Sequence, residues 1–307
     1  MPGMKPTVSV LARTGCFLRG CAAAAMLALN TLVCCTALFA FALLKLALPI
    51  DAVRKRLDPV LNAIAMTWVR CNSAWMGLSP ATQWDVEGLP AKGLGGWYLV
   101  NCNHQSWADI FVLQRLLNGR VPMLKFYLKR ELLYVPVIGL AWWALDFPFM
   151  KRHGKDALRL KPERRSDDAR AAQRACRKFA LVPTSVMNFA EGTRFTRAKH
   201  TRQHSPYRHL LKPKAGALAL TLHEMGEKFE SLVDVTIAYS PSVPGFWDFL
   251  CGRVGRISVR VRELPVPADL CSGDYSHDTE FRARFQQWLD GLWREKDAQL
   301  DALLGAA

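Results

Sequence analysis

No two of the nine cysteines are spaced C-x-x-C, and no cysteine–histidine grouping has the spacing of a metal site. That pattern suits unpaired thiols in a reducing compartment rather than a disulfide frame. H-E-x-x-H is missing, so the zinc-hydrolase pattern is excluded. His200 and His204 are four apart, but their Lys/Arg-rich segment repels a cation, and no metal is expected. G-x-S-x-G is missing too, which argues against a serine hydrolase of the α/β type. RNA-recognition, K-homology and helix-turn-helix signatures are all lacking, so nucleic acid is not the expected partner. Acidic residues are also in short supply: 26 Asp+Glu face 41 Lys+Arg, a formal charge of +15. Residues 151–214 hold 18 Lys/Arg against only 5 Asp/Glu. Such an excess points to an anionic partner, a phosphorylated substrate or an acidic lipid surface, with nucleic acid as a rival.

What is present is enough for one large domain or two small ones, with 307 residues of which 50% are hydrophobic. That composition excludes a disordered chain. Between Arg19 and Lys45 lie 25 residues without a charge. As a helix they extend about 37 Å, enough for a hydrocarbon core of about 30 Å. A cleaved signal peptide is the competitor, but its apolar region is usually shorter, roughly 7–15 residues. The spacing predicts an apolar helix over about 20–48 and an amphipathic one over about 52–77. In the second, Trp68 and Trp75 suit an interfacial depth, and Arg54, Lys55 and Arg56 suit headgroups. Residues 1–78 are therefore expected to form a membrane anchor, ahead of a domain at 79–307. The basic residues flanking the apolar run are nearly balanced, so a crossing helix and a re-entrant one both remain open.

From about residue 80, short apolar strands alternate with helices. Candidate strands are 83–89, 97–103, 122–128, 145–150, 185–190, 232–240 and 256–264, and candidate helices are 106–117, 167–181, 213–224 and 278–299. The expected fold is α/β, a mixed sheet flanked by helices. Residues 152–168 and 194–212 are expected to be basic connecting loops.

The segment "NHQSWADIF" (103–111) follows the strand candidate "WYLVNCN". Ser106-x-x-Asp109 satisfies a capping-box pattern, which alone gives Asp109 a structural role. His104 has no such role, and it lies where open α/β sheets keep their binding crevices. A carboxylate five residues on can fix the imidazole tautomer and stabilise its cation, leaving the other ring nitrogen as general base. Cys102 sits at a strand position and suits the core better than a nucleophile's place.

These residues resemble the blocks of the glycerolipid acyltransferases, the 1-acylglycerol-3-phosphate acyltransferase family. "NHQSWAD" is similar to N-H-x-S-x-x-D; "KRELLYVPVIG" (129–139), followed by "FPFMKR", is similar to the second block; "FAEGTRFT" (189–196) is similar to F-P-E-G-T-R; and "VDVTIAYS" (233–240) falls where the fourth block does. Ala190 and Asp234 replace two prolines of that pattern, which brings the chain closer to the branch that includes lysophospholipid acyltransferases. The likeness covers about residues 80–240. It implies His104 and Asp109 as the catalytic pair, with Glu191, Gly192, Thr193, Arg194 and Lys129 in the substrate-binding region. Gly192 permits close backbone approach, Arg194 offers a bidentate fork to phosphate, and Glu191 orients Arg194 or its loop. A backbone amide near the helix start at 106 is a candidate for the oxyanion.

The resemblance implies transfer of a fatty acyl group from acyl-CoA or acyl carrier protein to a hydroxyl of a lysophospholipid, without metal, cofactor or acyl-enzyme. It implies further that anionic membrane lipid is a partner, with the catalytic domain facing the cytoplasm (at the inner membrane in a bacterium). Two alternatives are a membrane-tethered, non-catalytic binder acting through the basic 151–214 surface, and a hydrolase using the same dyad. The helix at 278–299 places Phe281, Phe285, Trp288, Leu289 and Leu292 at helical spacing and is expected to pack on the domain.

Overall fold

A computed structural model of the chain describes residues 10–48, 50–77, 82–150 and 164–305. The first helix, α1 (Val10–Ala47), starts about ten residues before the apolar run, because Arg13 and Arg19 are good helix formers. Charge bounds the apolar stretch, not the helix. Within α1, Thr14–Ala47 is long and apolar enough to cross a membrane.

Asn30 and Thr31 of α1 help to hold α2 (Asp51–Gly77) beside it. Asn30 donates to Trp68 O at 2.9 Å and Asn72 Oδ1 at 2.8 Å, and Trp68 Nε1 donates to Thr31 Oγ1 at 3.0 Å. One face of α2 is turned to the protein. Trp75 is buried edge-on against Phe249, with ring centroids 6.0 Å apart, and Arg54 pairs with Asp146. An amphipathic face reads the same in sequence whether lipid or protein covers it.

The strands are β1 (Gln83–Glu87), β2 (Trp97–Cys102), β3 (Leu124–Phe126), β4 (Leu128–Lys129), β5 (Phe149–Met150), β6 (Ser185–Phe189), β7 (Phe229–Ser240) and β8 (Arg256–Leu264). Six of them form one mixed sheet in the order β1–β8–β7–β2–β6–β3. Its pairs are parallel except β7 with β8. β4 and β5 form a separate small pair. The strand expected at 145–150 thus shrinks to two residues, since Asp146 takes a positive φ of 60° that breaks extended structure.

Among the described residues, the remaining α-helices are α3 (Ala108–Leu117), α4 (Ile138–Ala144), α5 (Arg164–Phe179), α6 (Arg197–Gln203), α7 (Gly216–Met225), α8 (Phe246–Leu250) and α9 (Thr279–Gly305). Alternate strand residues face opposite layers. Val100, Met187 and Val235 pack with α1–α4, whereas Leu99, Val186 and Leu232 pack with α5, α7 and α9. Phe281, Phe285, Leu289 and Leu292 are buried, so α9 is a packing helix. Two expected loops differ. Residues 197–203 are helical, and α5 begins at Arg164, while the rest of the expected 152–168 connection, up to residue 163, lies outside the described residues. Thr196 caps α6 by accepting from Lys199 N at 3.3 Å, a local bond that a count of charges does not reveal.

Both ends of α1 rest on the α/β body. Phe17 packs on Trp247 of α8 with centroids 5.9 Å apart, and Lys45 donates to Ala144 O at 3.2 Å and pairs with Asp146. The helix therefore lies along the body rather than projecting from it.

Candidate active site

The chain leaves β2 into a loop tied on both sides. Asn103 extends the pairing with β7 by side chain, donating to Ile237 O and accepting from Ile237 N, both at 2.9 Å. The next residue, His104, donates its backbone N–H to Glu191 Oε1 at 2.8 Å, and its carbonyl accepts from Phe195 N at 2.7 Å. Its ring is clamped as well, stacked on Phe189 at 4.0 Å with an interplanar angle of 16°.

Asp109, fully buried in the first turn of α3, faces His104 Nδ1 through Oδ2 at 2.8 Å. A carboxylate only accepts, so Nδ1 carries the proton and Nε2 is left basic. The same Oδ2 accepts from Gln105 N at 2.7 Å and Ser106 N at 2.9 Å. Capping and dyad thus coexist in one side chain. Because Asp109 occupies these two amides, neither serves as the oxyanion donor expected near residue 106. Among the described residues Oδ1 has one hydrogen-bond partner, Tyr239 Oη at 2.6 Å. Burial, and then Asp109, push the Tyr239 phenol well above its ordinary range, so it stays a donor.

The "EGTR" turn leaves β6 beside this pair. Grouped in the sequence with the substrate-binding residues, Glu191 is fully buried, with Oε1 on His104 N and Oε2 on Leu211 N at 3.1 Å. Its carboxylate therefore positions two backbone segments, including that of His104. Burial raises its pKa to about 8, against the pull of those amides. Gly192 has φ +67°, a conformation that favours glycine, and an added Cβ would sit 3.2 Å from Lys214 Nζ. Arg194 lies 4.9 Å above the ring of Trp107, a cation–π contact that holds its guanidinium beside the start of α3.

Thr193 Oγ1 and Arg194 O both accept from Lys199 Nζ at 2.8 Å. Burial lowers the Lys199 pKa, and Arg194, Lys129 and Arg202 add to the effect as neighbouring cations. Lys129 is exposed at the end of β4. Tyr239 and Lys199 were not singled out by the sequence. Tyr239 lies in the fourth block, but only the sheet register brings it to Asp109, and Lys199 is one basic residue among many.

Cys102 is fully buried, and burial pushes its thiol well above the ordinary range, which removes it as a nucleophile. Among the described residues no group of three His, Cys, Asp or Glu could hold a metal ion.

The acyltransferase family model matches residues 85–240. Mouse 1-acyl-sn-glycerol-3-phosphate acyltransferase gamma is 27% identical over 188 residues, covering 57% of this chain and 44% of that protein. The delta form from Macaca fascicularis is 24% identical over 238 residues, covering 73% and 57%. The chain thus spans about half the length of these relatives. A crystal structure of the 1-acyl-sn-glycerophosphate (LPA) acyltransferase PlsC from Thermotoga maritima superposes with a TM-score of 0.47 at 16% identity, covering 90% of this chain and 97% of that one.

Proposed function

The chain belongs to the acyltransferase family, and we propose that it moves a fatty acyl group from acyl-CoA or acyl carrier protein to a free hydroxyl of a lysophospholipid. The observation that carries this reading is the His104 Nδ1–Asp109 Oδ2 contact at 2.8 Å, with Arg194 held alongside on Trp107. His104 Nε2 takes the acceptor hydroxyl's proton as the oxygen attacks the thioester carbonyl, and Asp109 stabilises the imidazolium. When the tetrahedral intermediate collapses, the C–S bond breaks and the proton on Nε2 passes to the leaving thiolate. His104 ends as it began, so no acyl-enzyme forms.

Arg194, Lys129 and Lys199 receive the acceptor's phosphate. Holding that group fixes the hydroxyl against Nε2, and positioning of this kind supplies a large part of such a rate. Glu191 and Tyr239 act through the dyad: one holds the His104 backbone, the other the free oxygen of Asp109.

The length and apolar character of α1 support membrane attachment. If α1 crossed a bilayer, its ends would be separated by roughly 30 Å of hydrocarbon. Both ends instead touch one α/β body, through Trp247 and Asp146, which supports re-entrant attachment to a single leaflet. Acceptor and product partition into that leaflet, and anionic lipid adds attraction through the cationic surface.

The test is acyl transfer in purified membranes with labelled long-chain acyl-CoA and a panel of lysophospholipids, with His104→Ala in parallel. One or two labelled acceptors with wild type, and none with a well-expressed variant, is the expected result. CoA release that is equal in both proteins refutes the mechanism.

A further inference from the structure

A second cationic site lies apart from the Arg194 group. At the C-terminal end of α1, a cavity of about 270 Å³ opens between α1, the start of α2, the α4–β5 connection and α5. Four cations line it: Lys45, Arg54, Arg174 and Lys178. Among the described residues, the acidic groups here are Asp146, which also lines it, and Asp58 behind Lys45. Lys45 bonds Asp58 at 2.7 Å and also Asp146, while Arg54 reaches Asp146 at 3.4 Å and Lys178 reaches it at 2.6 Å. The two carboxylates thus hold three cations in fixed positions. Arg174 is exposed and has no carboxylate partner among the described residues. Among the described lining residues, four cations and one carboxylate leave a net positive site with room for an anion.

This site is not the acceptor site. Its Phe147 is stacked on Phe126, Phe126 on Phe189 and Phe189 on His104, so three aromatic rings stand between cavity and dyad. The buried Lys125 ammonium responds to Asp146, Asp58, Lys45 and Lys178, whereas Lys199 responds to Arg194, Lys129 and Arg202. The two sets of charges are separate.

The surroundings identify the anion's source. Leu46 and Trp143 line the same cavity while remaining 58% and 51% exposed, and Leu48 and Ile50 follow at the α1–α2 turn. Apolar side chains at the mouth of a cationic cavity, at the end of an apolar helix, match the boundary between acyl chains and headgroups. We propose that this cavity binds the phosphate of an anionic membrane glycerophospholipid, whose acyl chains lie against Leu46 and Trp143. Asp146 keeps the cations in place before the lipid arrives, so little side-chain freedom is lost on binding. The inference rests on membrane attachment through α1, and not on the acyl-transfer chemistry.

The test keeps surface charge constant and moves only the label. Vesicles hold equal parts of phosphatidylglycerol and phosphatidylcholine, with bromine on the upper acyl carbons of one lipid or of the other. The Trp143 signal is the quenching in wild type minus that in Trp143→Phe. Brominated phosphatidylglycerol should quench it several-fold more than brominated phosphatidylcholine, about the fivefold that one basic residue supplies at an anionic surface. Arg174→Ser/Lys178→Ser, both exposed positions on α5, should abolish that preference, while Arg284→Ser/Arg294→Ser on α9 should leave it intact. Equal quenching by both lipids in wild type overturns the site and leaves attachment standing, as does a preference that survives the α5 double variant. No quenching by either lipid overturns both the attachment and the site.

Discussion

Replacing Tyr239 by phenylalanine removes one oxygen and leaves the ring's packing intact, so its effect isolates a single hydrogen bond. The four contacts of Asp109 are unequally divided. Oδ2 takes His104 Nδ1, Gln105 N and Ser106 N, while Oδ1 takes only Tyr239 Oη at 2.6 Å. With Asp109 fully buried, Tyr239→Phe takes from Oδ1 its one hydrogen-bond partner among the described residues. A hydrogen bond to a charged group contributes about 1.5–3 kcal/mol, and stranding such a group costs at least as much. Unfolding in urea, followed in detergent, should therefore show a loss of about 2–3 kcal/mol. Turnover should fall as well, because Asp109 can rotate its freed oxygen and carry the imidazole with it. The loss belongs in kcat, with KM for the acceptor little changed, since Tyr239 touches no part of the phosphate-binding group. Stability within about 0.5 kcal/mol of wild type, the range of an ordinary surface substitution, together with full kcat would refute the role given to Tyr239.

Arg194→Ala should lower kcat/KM for a phosphorylated acceptor by about 10- to 100-fold, the value of a charge-assisted contact, and Arg194→Lys should restore only part of it. Equal rates for all three proteins in the acyl-transfer assay would remove Arg194 from the acceptor site. Glu191 predicts a pH dependence of stability. Its carboxyl ionises near 4.5 when free and near 8 in the fold, so between these values the folded protein holds the extra proton. The resulting stability is complete below pH 4.5 and is lost as pH rises toward about 8, above which it levels off. Glu191→Gln has no such slope, so unfolding curves for the two proteins that stay parallel from pH 5 to 9 would contradict this linkage.

His104 and Asp109 could be read as a pair because five residues of one loop and one helical turn join them, and local geometry follows local sequence. The strand–helix alternation was legible for the same reason, as was Cys102 in the core, since a two-residue period fixes which face a side chain takes. Where sequence reasoning failed, the deciding contact was distant or the pattern had two meanings. The apolar run at 145–150 resembled a strand, but the positive φ of Asp146, which carries ion pairs to Lys45, Arg54 and Lys178, breaks it. The amphipathic pattern of α2 suits lipid and protein alike, and only the structure shows that Trp75 packs against Phe249.

The sequence by itself determined the fold class, the dyad and the presence of a cationic turn after β6. Tertiary structure alone decided that Tyr239, 130 residues from Asp109, supplies its last hydrogen bond, and that Glu191 holds the His104 backbone. Among the described residues it also placed Arg194 beside the start of α3 and gathered Lys45, Arg54, Arg174 and Lys178 at the end of α1. The physical reason is that the pairing of β2 with β6 and β7 sets these neighbours, and the register of one strand on another is a property of the assembled sheet. A count of charges along the chain carries no such information.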